Sequence, residues 1–101
     1  MQISVVIPLY NEAESLPELM AWIDKVMTEN NFSYEIILVD DFSSDLSERI
    51  YIQWRMQNDD IDTTLLENLR LSNSPKKDAI ARAMPIAKNP WIITTDADCI
   101  V

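Results

Sequence analysis

The chain is 101 residues long, 48% hydrophobic and 25% charged, enough for one domain with one core and too apolar for a disordered segment. Its 17 acids against 8 bases leave a formal net charge of −9, which argues against nucleic acid as a partner, because a phosphate backbone wants a basic face. There is no histidine and no glycine, which excludes histidine base catalysis, histidine metal sites, the P-loop and the GxGxxG dinucleotide loop within this chain.

Any phosphate held here is therefore held by metal, lysine or helix ends. The one cysteine, Cys99, permits no internal disulfide and reads as a small buried hydrophobe. No signal peptide is expected ahead of the first strand, and the apolar runs are too short to span a bilayer. These features suit a cytoplasmic protein, or one at the inner face of a membrane if downstream segments of a longer chain reach it.

Ile3 to Leu9 is apolar and β-branched and reads as a buried strand. The following helix has two capping-box starts, Asn11 with Glu14 or Ser15 with Glu18. Leu16, Leu19, Met20, Ile23 and Met27 then recur at helical spacing, and Asn30-Asn31 breaks the pattern. Tyr34 to Val39 reads as a second buried strand ending at Asp40-Asp41. Ser43-Ser44-Asp45 can cap a second helix with Leu46, Ile50 and Trp54 on one face, and Asn58-Asp59-Asp60 is a turn.

Ile61 to Leu66 is a weaker third strand. Ser74-Pro75 starts a third helix, with serine at the cap and proline at the first helical position. Ala79, Ile80, Ala83, Met84 and Ala87 form its expected buried stripe, and Pro85 should kink or end it by blocking the bond to Ala81. Asn89-Pro90 is a turn, and Trp91 to Thr95 is a fourth strand, expected to be buried, running into Asp96.

Apolar strands alternating with amphipathic helices predict a doubly wound α/β domain, a mostly parallel sheet with helices on both faces. The expected sheet order is 3-2-1-4, with ligands beyond the carboxyl ends of the strands at the reversal. Tyr10-Asn11-Glu12, Asp40-Asp41 and Asp96-Asp98 come from three places in the sequence and should meet there.

Asp96 and Asp98, separated by one residue, can offer carboxylate oxygens to Mg2+ or Mn2+ with positions left open for phosphate. The same pair could instead satisfy backbone donors in a turn. Asp40-Asp41 can accept from a ring nitrogen or a ribose hydroxyl, or can cap the next helix. Lys76 and Lys77 oppose the dipole of the third helix, which suggests a use against an anion, although an ordinary solvated pair is the commoner case. Ser43 and Ser44 read as caps rather than nucleophiles, since no histidine base exists here. Trp22, Trp54 and Trp91 read as core or surface packing rather than stacking platforms.

The segments SVVIPLYNEAESLPEL, ILVDDFSSD, SPKKDAI and WIITTDADC, in this order and spacing, resemble the family 2 inverting glycosyltransferases of GT-A fold across essentially the whole chain. The resemblance implies a nucleotide-diphosphate sugar donor, commonly a UDP-sugar, with bound Mg2+ or Mn2+. It implies that Pro8, Leu9 and Tyr10 line the base pocket with Glu12 close by, and that Asp41 contacts the uracil with Asp40 beside it. Lys76 matches the lysine of the family's GKxxA segment, Asp96 would lie near the ribose or sugar, and Asp98 would bind the metal.

Phe42, Pro75 and Pro90 stand where the family often has glycine. Family members continue well past this motif, and their downstream half supplies the acceptor site and the general base. The chain is therefore expected to be an N-terminal, donor-binding part of a longer transferase, inactive alone, whose acceptor is a glycan, a lipid or a polysaccharide. Three other readings compete: a haloacid-dehalogenase-type phosphatase, a receiver-type phosphoacceptor domain, and a noncatalytic binding fragment.

Overall fold

The computed structural model describes residues 2–9, 16–40, 45–58, 61–69 and 72–95, with backbone alone at residues 2, 45–48, 75 and 76. Strands and helices alternate: β1 (Gln2–Leu9), α1 (Leu16–Glu29), β2 (Ser33–Asp40), α2 (Asp45–Gln57), β3 (Asp62–Glu67), α3 (Pro75–Ala83) and β4 (Trp91–Thr94). The strands form one parallel sheet in the order β3-β2-β1-β4, as the alternation of elements predicts.

The alternation of side chains along each strand sorts them into two cores. Ile3, Val5, Ile7 and Leu9 of β1 join Ile36 and Leu38 of β2 under Leu16, Leu19, Met20, Ile23 and Met27 of α1 and Tyr51 and Trp54 of α2. On the other face Val6, Ile37 and Val39 meet Ala79 and Ala83 of α3. Two alanines let that helix lie close to the sheet. Each large apolar side chain buried in this way contributes about 1.5–3 kcal/mol.

The ends of the elements follow local chemistry. α1 closes at Asn31, which takes a left-handed φ of 59°, while the Phe32 amide donates to the Met27 carbonyl at 2.9 Å. Both proposed caps of α1 lie outside the described residues. Ser74 caps α3, its hydroxyl accepting from the Lys77 amide at 3.3 Å. Pro85 follows directly after the Met84 cap, so α3 ends where the proline ring removes the next donor.

Four expectations change. β2 and β3 run one residue past their apolar stretches, to Asp40 and Glu67, because ladder bonds depend on the backbone and not on side-chain polarity. Met84 is exposed and not in the α3 stripe: Ala79 and Ala83 face the sheet, and Met84, still helical at the cap, lies one residue round the helix from them. β4 stops at Thr94, before Thr95. It is also not a buried strand: Trp91 is 68% and Ile93 45% exposed. The register pairs them with Ile3 and Val5, so they share the α1/α2 face, but those helices cover the middle of the sheet and leave its β4 side open. Of the other tryptophans, Trp54 is core and Trp22 is exposed.

Candidate functional site

Parallel strands end together, and their carboxyl ends form one edge. Leu9, Asp40 and Glu67 stand side by side across β1, β2 and β3 in Cα register. β4 runs parallel to β1 toward this edge but stops short of it: its last pair is Val6 with Thr94, and the Thr95 amide donates to the Val6 carbonyl at 3.1 Å. The Asn68 amide donates to the Asp40 carbonyl at 2.8 Å, which carries the β2–β3 pairing past the end of β3. A cavity of about 240 Å³ lies here, lined by Asp40, Leu65, Leu66 and Glu67. Asp40 is half-buried at its wall.

Pro8 is half-buried, whereas Leu9 is buried in the α1/α2 core and supports the edge from beneath. Asn68 and Leu69 follow β3, and Ser72 to Ser74 lead into α3. There the buried Asp78 carboxylate accepts from the Ser72 amide at 3.0 Å and from the Ser72 hydroxyl at 2.9 Å. Its own amide donates back to the Ser74 carbonyl at 3.0 Å. This closed set of bonds shapes the start of α3 and with it the backbone of Lys76 and Lys77. Lys77 is exposed. The Arg82 Nε–H donates to the Glu67 carbonyl at 3.1 Å, tying α3 to the end of β3.

Tyr10, Glu12, Asp41, Asp96, Asp98 and the side chain of Lys76 lie outside the described residues, as do Ser43, Ser44, Phe42 and Cys99. Asp96 follows Thr95 directly in the chain. Among the described residues no three histidines, cysteines or carboxylates gather closely enough to hold a metal. The oxygen-only donors at this edge, Asp40 and Glu67, are of the type that a hard divalent cation takes.

Glu67, Asn68 and Asp78 were not singled out in the sequence. The first two could have been found as the polar residues that end β3, by the reasoning that selected Asp40. Glu35 was also passed over, and its signal was plain: a carboxylate inside the run YEIILV is either unpaired at great cost or held by specific donors. It is buried and accepts from the Ser4 hydroxyl at 2.6 Å. A second, larger cavity of about 530 Å³ runs along the outer side of β3, beside Tyr51, Arg55, Asp62, Thr63 and Lys88, and contains none of the residues picked out in the sequence.

Comparisons with known proteins agree with this architecture. The sequence model of Glycosyl transferase family 2 matches residues 4–101. An undecaprenyl-phosphate 4-deoxy-4-formamido-L-arabinose transferase from Photorhabdus laumondii subsp. laumondii is 40% identical over 97 residues, covering 96% of this chain and 29% of the relative. The enzyme of the same name from Salmonella choleraesuis is 35% identical over the same shares. The chain thus spans about three-tenths of the length of these relatives.

Among solved structures, the mannosyltransferase PcManGT from Pyrobaculum calidifontis, in complex with GDP-Man and Mn2+, superposes with a TM-score of 0.76 at 26% identity, covering 95% of this chain and 27% of that one. Glucosyl-3-phosphoglycerate synthase from Mycobacterium tuberculosis, in complex with Mn2+, UDP and glucosyl-3-phosphoglycerate, shares the fold at a TM-score of 0.73 and 20% identity, over 98% of this chain and 34% of that one. The match over residues 4–101 displaces the phosphatase and receiver readings, and the chain belongs to glycosyltransferase family 2, with the GT-A arrangement of its sheet.

Proposed function

We propose that these residues are the donor- and metal-binding part of an enzyme that moves a sugar from a nucleotide-diphosphate sugar, a UDP-sugar first of all, onto a lipid-phosphate acceptor with inversion. The observation that carries this reading is the alignment of Leu9, Asp40 and Glu67 along one strand-end edge, toward which β4 also runs, beside a cavity bordered by Asp40. The donor class is supported by the GDP-Man and Mn2+ bound to the Pyrobaculum mannosyltransferase, and the acceptor class by the undecaprenyl phosphate in the names of the relatives.

In this reading Pro8 and Tyr10 line the base pocket with Leu9 supporting it from the core, and Glu12, Asp40 and Asp41 contact the nucleoside. Lys76 faces phosphate, Asp96 lies near the ribose or sugar, and Asp98 holds Mg2+ or Mn2+. The bound metal supplies positive charge against the diphosphate as it departs. An acceptor oxygen attacks the anomeric carbon from the face opposite the diphosphate. The bond from that carbon to the phosphate oxygen breaks, and its electrons leave with the nucleoside diphosphate. A lipid phosphate is already anionic near neutral pH and needs no base. A hydroxyl acceptor needs one, and its carboxylate is expected in the downstream part of the enzyme.

We place the enzyme in the cytoplasm or at the inner face of a membrane, where a lipid-phosphate acceptor would be met. Calorimetry of the chain with UDP tests the assignment. Binding in the micromolar-to-millimolar range is expected only with Mn2+ or Mg2+, and Asp98→Ala should abolish the metal dependence. No UDP heat with metal present, or heat unchanged in that variant, overturns the site.

A further inference from the structure

Glu35 lies on β2 at the opposite end of the sheet from the nucleotide edge and is 1% exposed. One of its oxygens, Oε2, accepts from the Ser4 hydroxyl of β1 at 2.6 Å, from the Lys88 amide at 2.6 Å and from the Asn89 side-chain amide at 3.4 Å. The Asn89 side chain also donates to the Ile3 carbonyl of β1 at 3.2 Å. The Lys88 ammonium reaches Asp62 at the start of β3 at 3.0 Å, and this carboxylate raises the lysine pKa above 10.5, first through the hydrogen bond and then through its charge. The dipeptide Lys88–Asn89 therefore touches β1, β2 and β3 two residues before β4 begins.

β4 needs such an anchor. It pairs with β1 over four positions, and its Trp91 and Ile93 find no cover on the α1/α2 face. Strand register is strongly specified where a face is buried and weakly where it is not, and a slip of one residue turns every side chain to the opposite face. Ile92, partly buried against the α3 core, is the main apolar contact opposing a slip. A carboxylate taken out of water and given three donors costs much less than one left unpaired, so the loop that supplies two of those donors is held where they meet it.

We propose that Glu35 is a positioning residue: through Lys88 and Asn89 it sets the register of β4, and through β4 the placement of Asp96 and Asp98 for metal. The second step rests on the donor-and-metal reading above. The role belongs to this one side chain, because Ser4, Lys88 and Asn89 converge on the same oxygen.

The test uses the full 101-residue chain with two readouts, amide hydrogen exchange and calorimetric UDP affinity with and without Mn2+. Glu35→Gln keeps an oxygen acceptor in the same shape and should leave both within about twofold of wild type. Glu35→Leu removes the acceptor, and Asn89→Ala, a milder change in a half-buried loop, removes two of the bonds. In both, protection of the Thr95 amide should fall at least tenfold while the β1–β2 ladder keeps its protection. UDP affinity in the presence of Mn2+ should fall at least fivefold.

Equal loss of protection throughout the sheet in Asn89→Ala as well as Glu35→Leu overturns the proposal, as does unaltered Thr95 protection in both. A UDP affinity with Mn2+ that stays within twofold of wild type in both variants overturns the second step. A wild-type chain whose UDP affinity ignores Mn2+ sinks the donor-and-metal reading and with it the second step, while exchange at Thr95 still decides whether Glu35 holds β4.

Discussion

Asp78 shows how one carboxylate can shape the entrance to a site without touching a ligand. It stands beside Lys76 and Lys77 in the sequence, where an acid reads as one more solvated charge on an exposed helical turn. Its burial is decided by Ser72, six residues earlier, whose amide and hydroxyl both turn back to it. Replacing Asp78 with alanine strands those donors and loosens the start of α3. The expected loss is about 1.5–3 kcal/mol in a urea titration, the range for hydrogen bonds to a charged group. The place of Asp40 at a strand end, in contrast, was legible, because it is the first acid after an apolar run beside the strand at the reversal, although capping of the next helix accounts for an acid there equally well. Glu35 was visible in the sequence as an anomaly, but its partners Lys88 and Asn89 lie more than fifty residues away, and no local pattern names them.

Among the elements, the two faces of the sheet do different work. The α1/α2 face holds the large side chains, and Leu38 is wholly buried within it. Leu38→Ala should cost about 2–5 kcal/mol, a large share of the roughly 5–15 kcal/mol that stabilises a domain. Chemical denaturation should show its midpoint far below that of wild type. The stripe of α1 could be read directly because all five of its apolar positions obey one period and face one core. The stripe of α3 could be read only in part. Its period continues through Met84 and Ala87 in the sequence, but the face that meets the sheet is the narrow one of Ala79 and Ala83, and Met84 beside it stands in solvent. The one-residue extensions of β2 and β3 were not legible either, since pairing continues until the backbones diverge, whatever the side chains.

For the whole molecule, the sheet is thoroughly packed at its centre and open at β4. Trp91 and Ile93 place two large apolar side chains on an uncovered face beside a strand edge that pairs with nothing among the described residues. Exposed apolar edges promote association between molecules. Trp91→Lys should therefore raise, severalfold, the concentration at which the chain begins to scatter light, and should leave its unfolding midpoint nearly unchanged. An unaltered scattering threshold would show that another surface limits solubility.

The sequence by itself determined the alternation of strands and helices, the parallel sheet with its order, and the family, because these rest on periodicity and on motifs read within short windows. It also placed Asp40 at the edge where β1, β2 and β3 end together. The tertiary structure alone decided that β4 lies uncovered, that Asp78 closes on Ser72, and that Glu35 joins the loop before β4 to the strands beside it. Those outcomes depend on which surfaces are left over after the helices have packed, and on hydrogen bonds between residues that only the fold brings within reach.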